Sequence, residues 1–287
     1  MKTTRLLYPD HVGGGLSTYY LGAKLMSVIL PENQSQKLVK VEVEAPDGRE
    51  PVVSHGIASE DAVLEGIRRA RAALESESPD RVITIGGNCL VSLASFDYLH
   101  ARCPDAGIIW IDAHPDVSLP ENGYPNAHAM VLATLLGNGP AQLASQLKAP
   151  AFRPGDVLYV GLQGLHDYQR SFLEEKGVPY EVQTERLVSE ETIRAFLACH
   201  KQVLIHLDID ALDPRFFAST YFANPELVGD GSGGGRMTME ELAGVLRLIV
   251  ENAEVPGFTI AEYLPFDAER LQRLFAGISL FTEKSEA

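Results

Sequence analysis

Ile108-Ile109-Trp110-Ile111-Asp112-Ala113-His114-Pro115-Asp116 runs four β-favouring residues into a cluster of acids and an imidazole. Val203-Leu204-Ile205-His206-Leu207-Asp208-Ile209-Asp210 does much the same further along. Three more runs of this kind, Val82-Ile83-Thr84-Ile85, Val157-Leu158-Tyr159-Val160 and Phe258-Thr259-Ile260-Ala261, alternate with helical patterns, and Leu6-Leu7-Tyr8 adds a strand near the N-terminus. Strands that are apolar almost without interruption are covered on both faces, which predicts a parallel sheet. Helix starts are legible at Ser59 before an acidic first turn, at Ser189 before Glu190 and Glu191, and at Thr238 with Glu241 as a capping box. The expected fold class is α/β, three layers α/β/α around a central, mostly parallel sheet.

With 287 residues, 45% of them hydrophobic, the chain can bury a large core, and no linker interrupts it. A single domain over 1–287 is expected. The formal charge of -15 repels phosphate backbones and anionic lipid, so neither nucleic acid nor a membrane is expected as partner. The N-terminus lacks a basic segment followed by a long apolar one, and no run approaches membrane-spanning length, which predicts a cytoplasmic protein. Three widely spaced cysteines, Cys89, Cys103 and Cys199, argue against a disulfide framework. The glycine-rich run from Gly229 to Gly235 lacks the Lys-Ser/Thr ending of a phosphate cradle and reads as a flexible loop.

The polar exceptions collect at the carboxyl ends of the predicted strands: Asn88 and Cys89, then Asp112, His114 and Asp116, then Asp208 and Asp210, then Glu262. In an open parallel sheet those ends share one edge, where ligands bind. In extended chain the i, i+2, i+4 spacing of Asp112, His114 and Asp116 puts all three side chains on one face, and Asp208 and Asp210 repeat it. Four carboxylates crowded together repel and resist ionisation unless cations lie among them. A single aspartate after a strand is more simply a cap, but two such clusters favour divalent metal. Mixed carboxylate and imidazole donors suit Mn²⁺ and related first-row ions. Asp213-Pro214 reads as a turn that braces the ligands from behind.

These segments resemble the ureohydrolase family of arginases, agmatinases and formimidoylglutamases. There, Gly-Gly-Asp-His, Asp-Ala-His-x-Asp, His-Gly and Ser-x-Asp-x-Asp-x-x-Asp-Pro carry a dinuclear manganese centre. Here they stand as Gly86-Gly87-Asn88-Cys89, Asp112-Ala113-His114-Pro115-Asp116, His128-Ala129 and His206-Leu207-Asp208-Ile209-Asp210-Ala211-Leu212-Asp213-Pro214, in matching order from about Val82 to Pro265. The resemblance implies two divalent ions, most simply Mn²⁺, bridged by Asp112 and Asp208. Cys89 and Asp116 would complete one site, and His114 and Asp210 the other. It also implies that Asp116 takes the proton of the attacking water, that His128 passes a proton to the departing amine, and that Glu262 pairs with the substrate guanidinium. Families of this kind often assemble as trimers or hexamers, so a homo-oligomer is in keeping with it.

Four departures qualify the match. Cys89 replaces a histidine ligand, and a softer thiolate favours Zn²⁺ or another first-row ion at that site. The same cysteine can also be read as an inert buried residue or as a nucleophile at a helix start. At the substrate end, Ser118 replaces an arginase asparagine, Tyr124 replaces a serine, and Gly161-Leu162-Gln163-Gly164-Leu165-His166 replaces Gly-Leu-Arg-Asp-x-Asp. The carboxylates that would receive an α-amino group are therefore missing, which argues against free L-arginine. Ser118 and His166 remain substrate-binding candidates, although His166 can equally begin a helix, and Glu262 can equally pair with an internal arginine.

The expected activity is hydrolysis of a linear guanidino compound, arginine-like or N-hydroxylated, to urea or a substituted urea plus an amine. A formimidoyl or other amidine hydrolase, or a catalytically weakened relative that binds a guanidino ligand, are the alternatives.

Overall fold

The structure is a computed structural model and describes residues 1–227, 229 and 231–278. Among the described residues nine strands form: β1 (Thr3–Tyr8), β2 (Lys37–Lys40), β3 (Val53–Ser54), β4 (Ile57–Ala58), β5 (Arg81–Gly86), β6 (Gly107–Ile111), β7 (Val157–Val160), β8 (Gln202–Asp208) and β9 (Glu254–Ala261). The helices are α1 (Thr18–Ile29), α2 (Glu60–Glu77), α3 (Ser92–His100), α4 (Val131–Leu135), α5 (Ala141–Ala144), α6 (Asp167–Lys176), α7 (Glu190–Cys199), α8 (Met239–Asn252) and α9 (Phe266–Ala276). Seven strands form one sheet in the order β2-β1-β5-β9-β8-β6-β7, with every described pairing parallel. Strands β3 and β4 form a separate antiparallel pair.

Period-two alternation along each strand divides the core between the two faces of the sheet. Leu6, Tyr8, Ile108, Trp110, Tyr159 and Leu204 pack on one side with residues of α2, α3 and α6. Leu7, Ile109, Ile111, Ile205 and Leu207 pack on the other with residues of α1, α7 and α8. This three-layer α/β/α arrangement is the one expected from the apolar runs. No helix among the described residues is long and apolar enough to cross a membrane.

The helix starts follow the anticipated capping chemistry at two of three places. Ser189 accepts from the Thr192 amide, and Thr238 and Glu241 form the reciprocal capping box. Ser59 does precede α2 with Glu60 and Asp61 in the first turn, but it sits in the left-handed region at φ 52 and makes no side-chain cap. From Gly229 to Gly235 the described residues form no helix or strand, and Asp230 lies outside the described residues. Asp213 does not reach the acidic cluster. It accepts from the amide and guanidinium of Arg215, so it stabilises its own turn and does not brace the ligands.

Sheet order decides what meets at the carboxyl edge. Four adjacent strands, β5-β9-β8-β6, deliver Cys89, Glu262, Asp208 and Asp112 side by side, although β9 is last in sequence. Gly87 makes the junction tight: its amide donates to Tyr8 O, and its carbonyl accepts from Glu262 N at 2.9 Å. A Cβ at Gly87 would lie 1.7 Å from the Asp10 carbonyl oxygen, so only glycine fits. Gly87→Ala is expected to cost about 1–3 kcal/mol of stability through overpacking, read from the midpoint of a urea melt. An unchanged midpoint would contradict the close approach.

Candidate metal centre

Asp112 and Asp208 each use one oxygen as a cap and keep the other for the cluster. Asp112 Oδ1 accepts from the His114 amide at 2.7 Å, and Asp208 Oδ1 accepts from the Asp210 amide at 2.6 Å. Their second oxygens meet different donors. Trp110 Nε1 lies 3.0 Å from Asp112 Oδ2, and Cys89 Sγ lies 2.9 Å from Asp208 Oδ2. The capping role read from the sequence is thus met at both aspartates, and it leaves each a second carboxylate oxygen for other donors.

His114 Nδ1 stands 3.0 Å from Asp210 Oδ2 and 3.5 Å from Asp112 Oδ1. Asp112, His114 and Asp210 each offer a ligand atom within 4.8 Å of the others, and so do Cys89, Asp112, Asp116 and His206. Among the described residues His114 Nε2, Asp116 Oδ2 and His206 Nε2 are buried without a hydrogen-bond partner. Unpaired polar atoms are costly in the interior, and here they gather where donors converge. Donor chemistry and orphaned atoms together fit divalent cations.

The titration behaviour has the same origin. Burial pushes the Asp208 carboxyl well above the usual range, and Asp210, Glu262 and Asp112 push it further. Asp116 is raised by burial and then by Asp112, and Asp210 is raised by burial despite His114 beside it. Burial alone would also raise Asp112, yet the imidazoles of His114 and His206 outweigh it and hold this acid at about 2. His114 is driven well up despite burial, chiefly by Asp210. Burial raises the Cys89 thiol strongly, and Asp208 and Asp116 add to it. The thiol begins only a short 3-10 turn, Cys89–Val91, before α3, and the acids around it oppose the low thiol pKa that a nucleophile would need.

Glu262 closes the other wall. It is 4% exposed and holds φ at 62, as Asp116 holds φ at 50; these are backbone states that a non-glycine residue keeps only when packing imposes them. No arginine is among its described partners. Glu262 Oε1 lies 2.8 Å from His128 Nδ1 and 3.4 Å from Cys89 Sγ, and Glu262 Oε2 accepts from the Tyr19 hydroxyl at 2.8 Å. His128 Nε2 lies 2.9 Å from the Tyr124 hydroxyl. Burial lowers the His128 proton affinity, but Tyr124 and Glu262 more than reverse this and leave it well raised.

A cavity of about 480 Å³ opens onto these groups, and its lining includes Cys89, His114, Asp116, His128, Asp208, Asp210 and Glu262. Its lining also carries Leu16, Tyr124, Tyr168, Tyr221, Phe222 and Leu227. Among the described residues no Lys or Arg lines it. Ser118 is part of the lining, and its hydroxyl lies 3.1 Å from that of Tyr168. His166 is placed differently. It precedes α6, its amide donates to Gln169 Oε1, and its ring stacks on Tyr168, so the described lining contains Tyr168 and Gln169 but not His166.

Two contributors escape sequence reasoning. Tyr19, in α1, reaches Glu262 across more than two hundred residues and carries no local signal. His206 did carry one: it is a lone imidazole in an apolar strand, two residues before Asp208 and therefore on the same face.

Comparisons with known proteins agree with this geometry. A family model described as the Arginase family matches residues 32–283. The chain is 30% identical over 161 residues to an arginase of Entamoeba histolytica, covering 53% of this chain and 54% of that protein. It is 24% identical over 222 residues to an arginase of Staphylococcus aureus, covering 74% and 70%. Against arginase-1 of Homo sapiens it is 32% identical over 152 residues, covering 48% and 47%. The matched stretch thus spans about half the length of the amoebal and human relatives. Among solved structures, Entamoeba histolytica arginase in complex with L-ornithine superposes with a TM-score of 0.76 at 22% identity, over 92% of this chain and 91% of that one. The native Bacillus caldovelox arginase gives 0.71 at 21% identity over 100% of both. At such identities the structural likeness speaks for the fold, and the match over 32–283 speaks for descent: this chain belongs to the arginase family.

Proposed function

We propose that this protein is a binuclear metal-dependent hydrolase that cleaves the guanidino group of a linear cationic compound, giving urea or a substituted urea and an amine. The observation that carries this reading is the convergence of Asp112, His114, Asp116, Asp208, Asp210 and Cys89 opposite the Glu262–His128 pair, in a cavity without a lining cation among the described residues. Asp112 and Asp208 would bridge the two ions, Cys89 and Asp116 would serve one, and His114 and Asp210 the other. Bound there, such ions supply a hydroxide at neutral pH and offset negative charge growing on the reacting carbon's substituents. The sheet draws strands from both ends of the chain, which supports treating 1–287 as one domain.

The chain's own residues divide the remaining work. Glu262 offers a carboxylate to a planar guanidinium, whose forked N–H groups it accepts while orienting the carbon toward Asp116. Asp116, with Oδ2 unpaired, is placed to accept the proton of the attacking water. His128, held between Tyr124 and Glu262 and disposed to carry a proton, hands it to the leaving amine. The outer wall supports a substrate without a free amino acid head. Gln163 spends its amide on Gly161 O, and the rim carries tyrosines, Phe222 and leucines. An alkyl or neutral tail therefore fits better than the L-ornithine seen with the amoebal relative.

Protein loaded with Mn²⁺ or Zn²⁺ is expected to release urea or hydroxyurea from at least one member of a panel of alkylguanidines, guanidino acids, guanidino amines and N-hydroxyguanidines. Release with none of them, in either metal, would overturn the proposal, and formamide or ammonia from an amidine would move it to that substrate class. Glu262→Gln removes the charge that pairs with the guanidinium and is expected to lower kcat/KM by roughly 10²- to 10³-fold. His128→Asn should lower kcat by about 10²- to 10⁴-fold with smaller change in KM. Equal losses on neutral and cationic substrates would contradict the assignment of Glu262.

A pH dependence also follows. Asp116, Asp208, Asp210, His114 and His128 all bind protons more tightly in the fold than in the unfolded chain. Their contribution to stability is fully present below the unfolded pKa values and is lost as pH rises through the raised folded ones. Asp112 runs the other way, but it matters only between the usual carboxylate pKa and about 2. Chelator-treated protein should therefore show a higher Tm at about pH 5.5 than at about pH 8. Added Mn²⁺ or Zn²⁺ should raise Tm most at the higher pH, because the ions compete with those protons. A chelated Tm that climbs with pH would count against the crowded-acid account.

A further inference from the structure

His206 is buried completely in β8, where the family motif quoted above has serine. Its ring lies flat on Trp110, its register partner in β6, with centroids 3.7 Å apart and planes 13° from parallel. Nδ1 is 2.8 Å from the Ser92 hydroxyl. Nε2 points the other way and, among the described residues, has no hydrogen-bond partner; the nearest recorded carboxylate oxygen, Asp112 Oδ2, is 3.7 Å away, too far for one. An imidazole whose Nδ1–H is given to a hydroxyl presents a lone pair at Nε2, the tautomer a metal requires.

In that tautomer the lone pair lies on the Asp112 side of the ring, where Nε2 is 3.7 Å from Oδ2. Cys89, Asp112, Asp116 and His206 each place one ligand atom within 4.8 Å of the other three, and all four residues are buried. Asp116 Oδ2 in this group is likewise unpaired. Two departures from the family pattern therefore meet in space: an imidazole is missing at position 89, and one has appeared at position 206. We propose that His206 is the imidazole ligand of the Cys89-side ion, and that its imidazole together with the Cys89 thiolate selects Zn²⁺ there. A thiolate and an imidazole among the carboxylates suit Zn²⁺, whereas the oxygen-rich His114 side suits Mn²⁺. Ser92 and the Trp110 ring act as positioning residues that fix the tautomer and plane of the ligand. This inference rests on the binuclear reading above.

Ion counting and spectroscopy on the full chain test it without reference to turnover. The unaltered protein, stripped and reloaded with Zn²⁺, is expected to hold two ions per chain. His206→Gln should retain the ion on the His114 side and weaken the other by about a hundredfold in chelator-dye competition. Adding Cys89→His in that background should restore the second ion and shift its preference toward Mn²⁺. If His206→Gln keeps both ions at unchanged affinity, His206 is a core histidine and the proposal fails while the binuclear reading stands. If the unaltered protein takes up no ion at all, the binuclear reading fails with it. Because a buried variant can misfold, the unaltered protein loaded with Co²⁺ supplies an independent readout by proton NMR. Each ligating imidazole keeps one exchangeable N–H, so two strongly shifted exchangeable signals are expected, from His114 and His206. A single such signal would overturn the proposal.

Discussion

Five carboxylates and a thiol share one buried edge of the sheet, and their mutual repulsion is the constraint on which the rest depends. Burial strengthens every charge interaction there, so the acids are tolerable only as proton carriers, as partners of His114, His128 and His206, or as ligands of cations. The surrounding fold resists their separation. Asp208 and Asp112 are pinned by caps on their own following turns, Asp116 and Glu262 are held at positive φ, and Gly87 packs against the Asp10 carbonyl. The protein spends folding stability to keep like charges together, as is common where function requires preorganisation.

The sheet turns this crowding into a directional site. Parallel strands bring their carboxyl ends to one edge, and the order β5-β9-β8-β6 sets Glu262 between Cys89 and Asp208. One wall then becomes a donor cluster, and the other becomes a carboxylate already engaged with His128 and Tyr19. A guanidinium entering from the aromatic rim would meet opposite charge on the Glu262 side and the acidic cluster beyond it. Such an arrangement orients before it reacts, which is where most of the gain from a preformed site lies. In the proposed reading, the departures at 89 and 206 alter which ion is held, whereas those at 118, 124 and 163 alter what the outer end of the substrate can be.

Family membership and chemistry rest on different foundations here. The arginase-family match spans 32–283, and the superpositions cover the whole sheet. The side chains gathered at the acidic edge, by contrast, are this chain's own: a thiol stands where the family motif has an imidazole, and His206 stands where it has serine. A change of donor atoms at constant fold is an ordinary way for one architecture to serve different substrates or metals.

Local pattern alone determined the α/β class and the five principal strands, and it located Asp112, His114, Asp116, Asp208 and Asp210 at their ends; the extended chain expected there gives way to bends at 112–114, to Asp116 at φ 50 and to a 3-10 turn over Ile209–Ala211. Alternation, strand length and i, i+2 spacing are properties of neighbouring residues. It also located Cys89 and Glu262 as polar exceptions beside those strands, whereas His128 was legible only through the family resemblance. Only tertiary structure decided who meets whom. That Glu262 engages His128 and Tyr19, that Asp213 turns to Arg215, that His166 stacks on Tyr168, and that His206 comes together with Cys89, Asp112 and Asp116 all depend on strand order and helix packing. Those contacts join residues up to 243 apart, from Tyr19 to Glu262, and no pattern confined to a few neighbouring positions carries information across that distance.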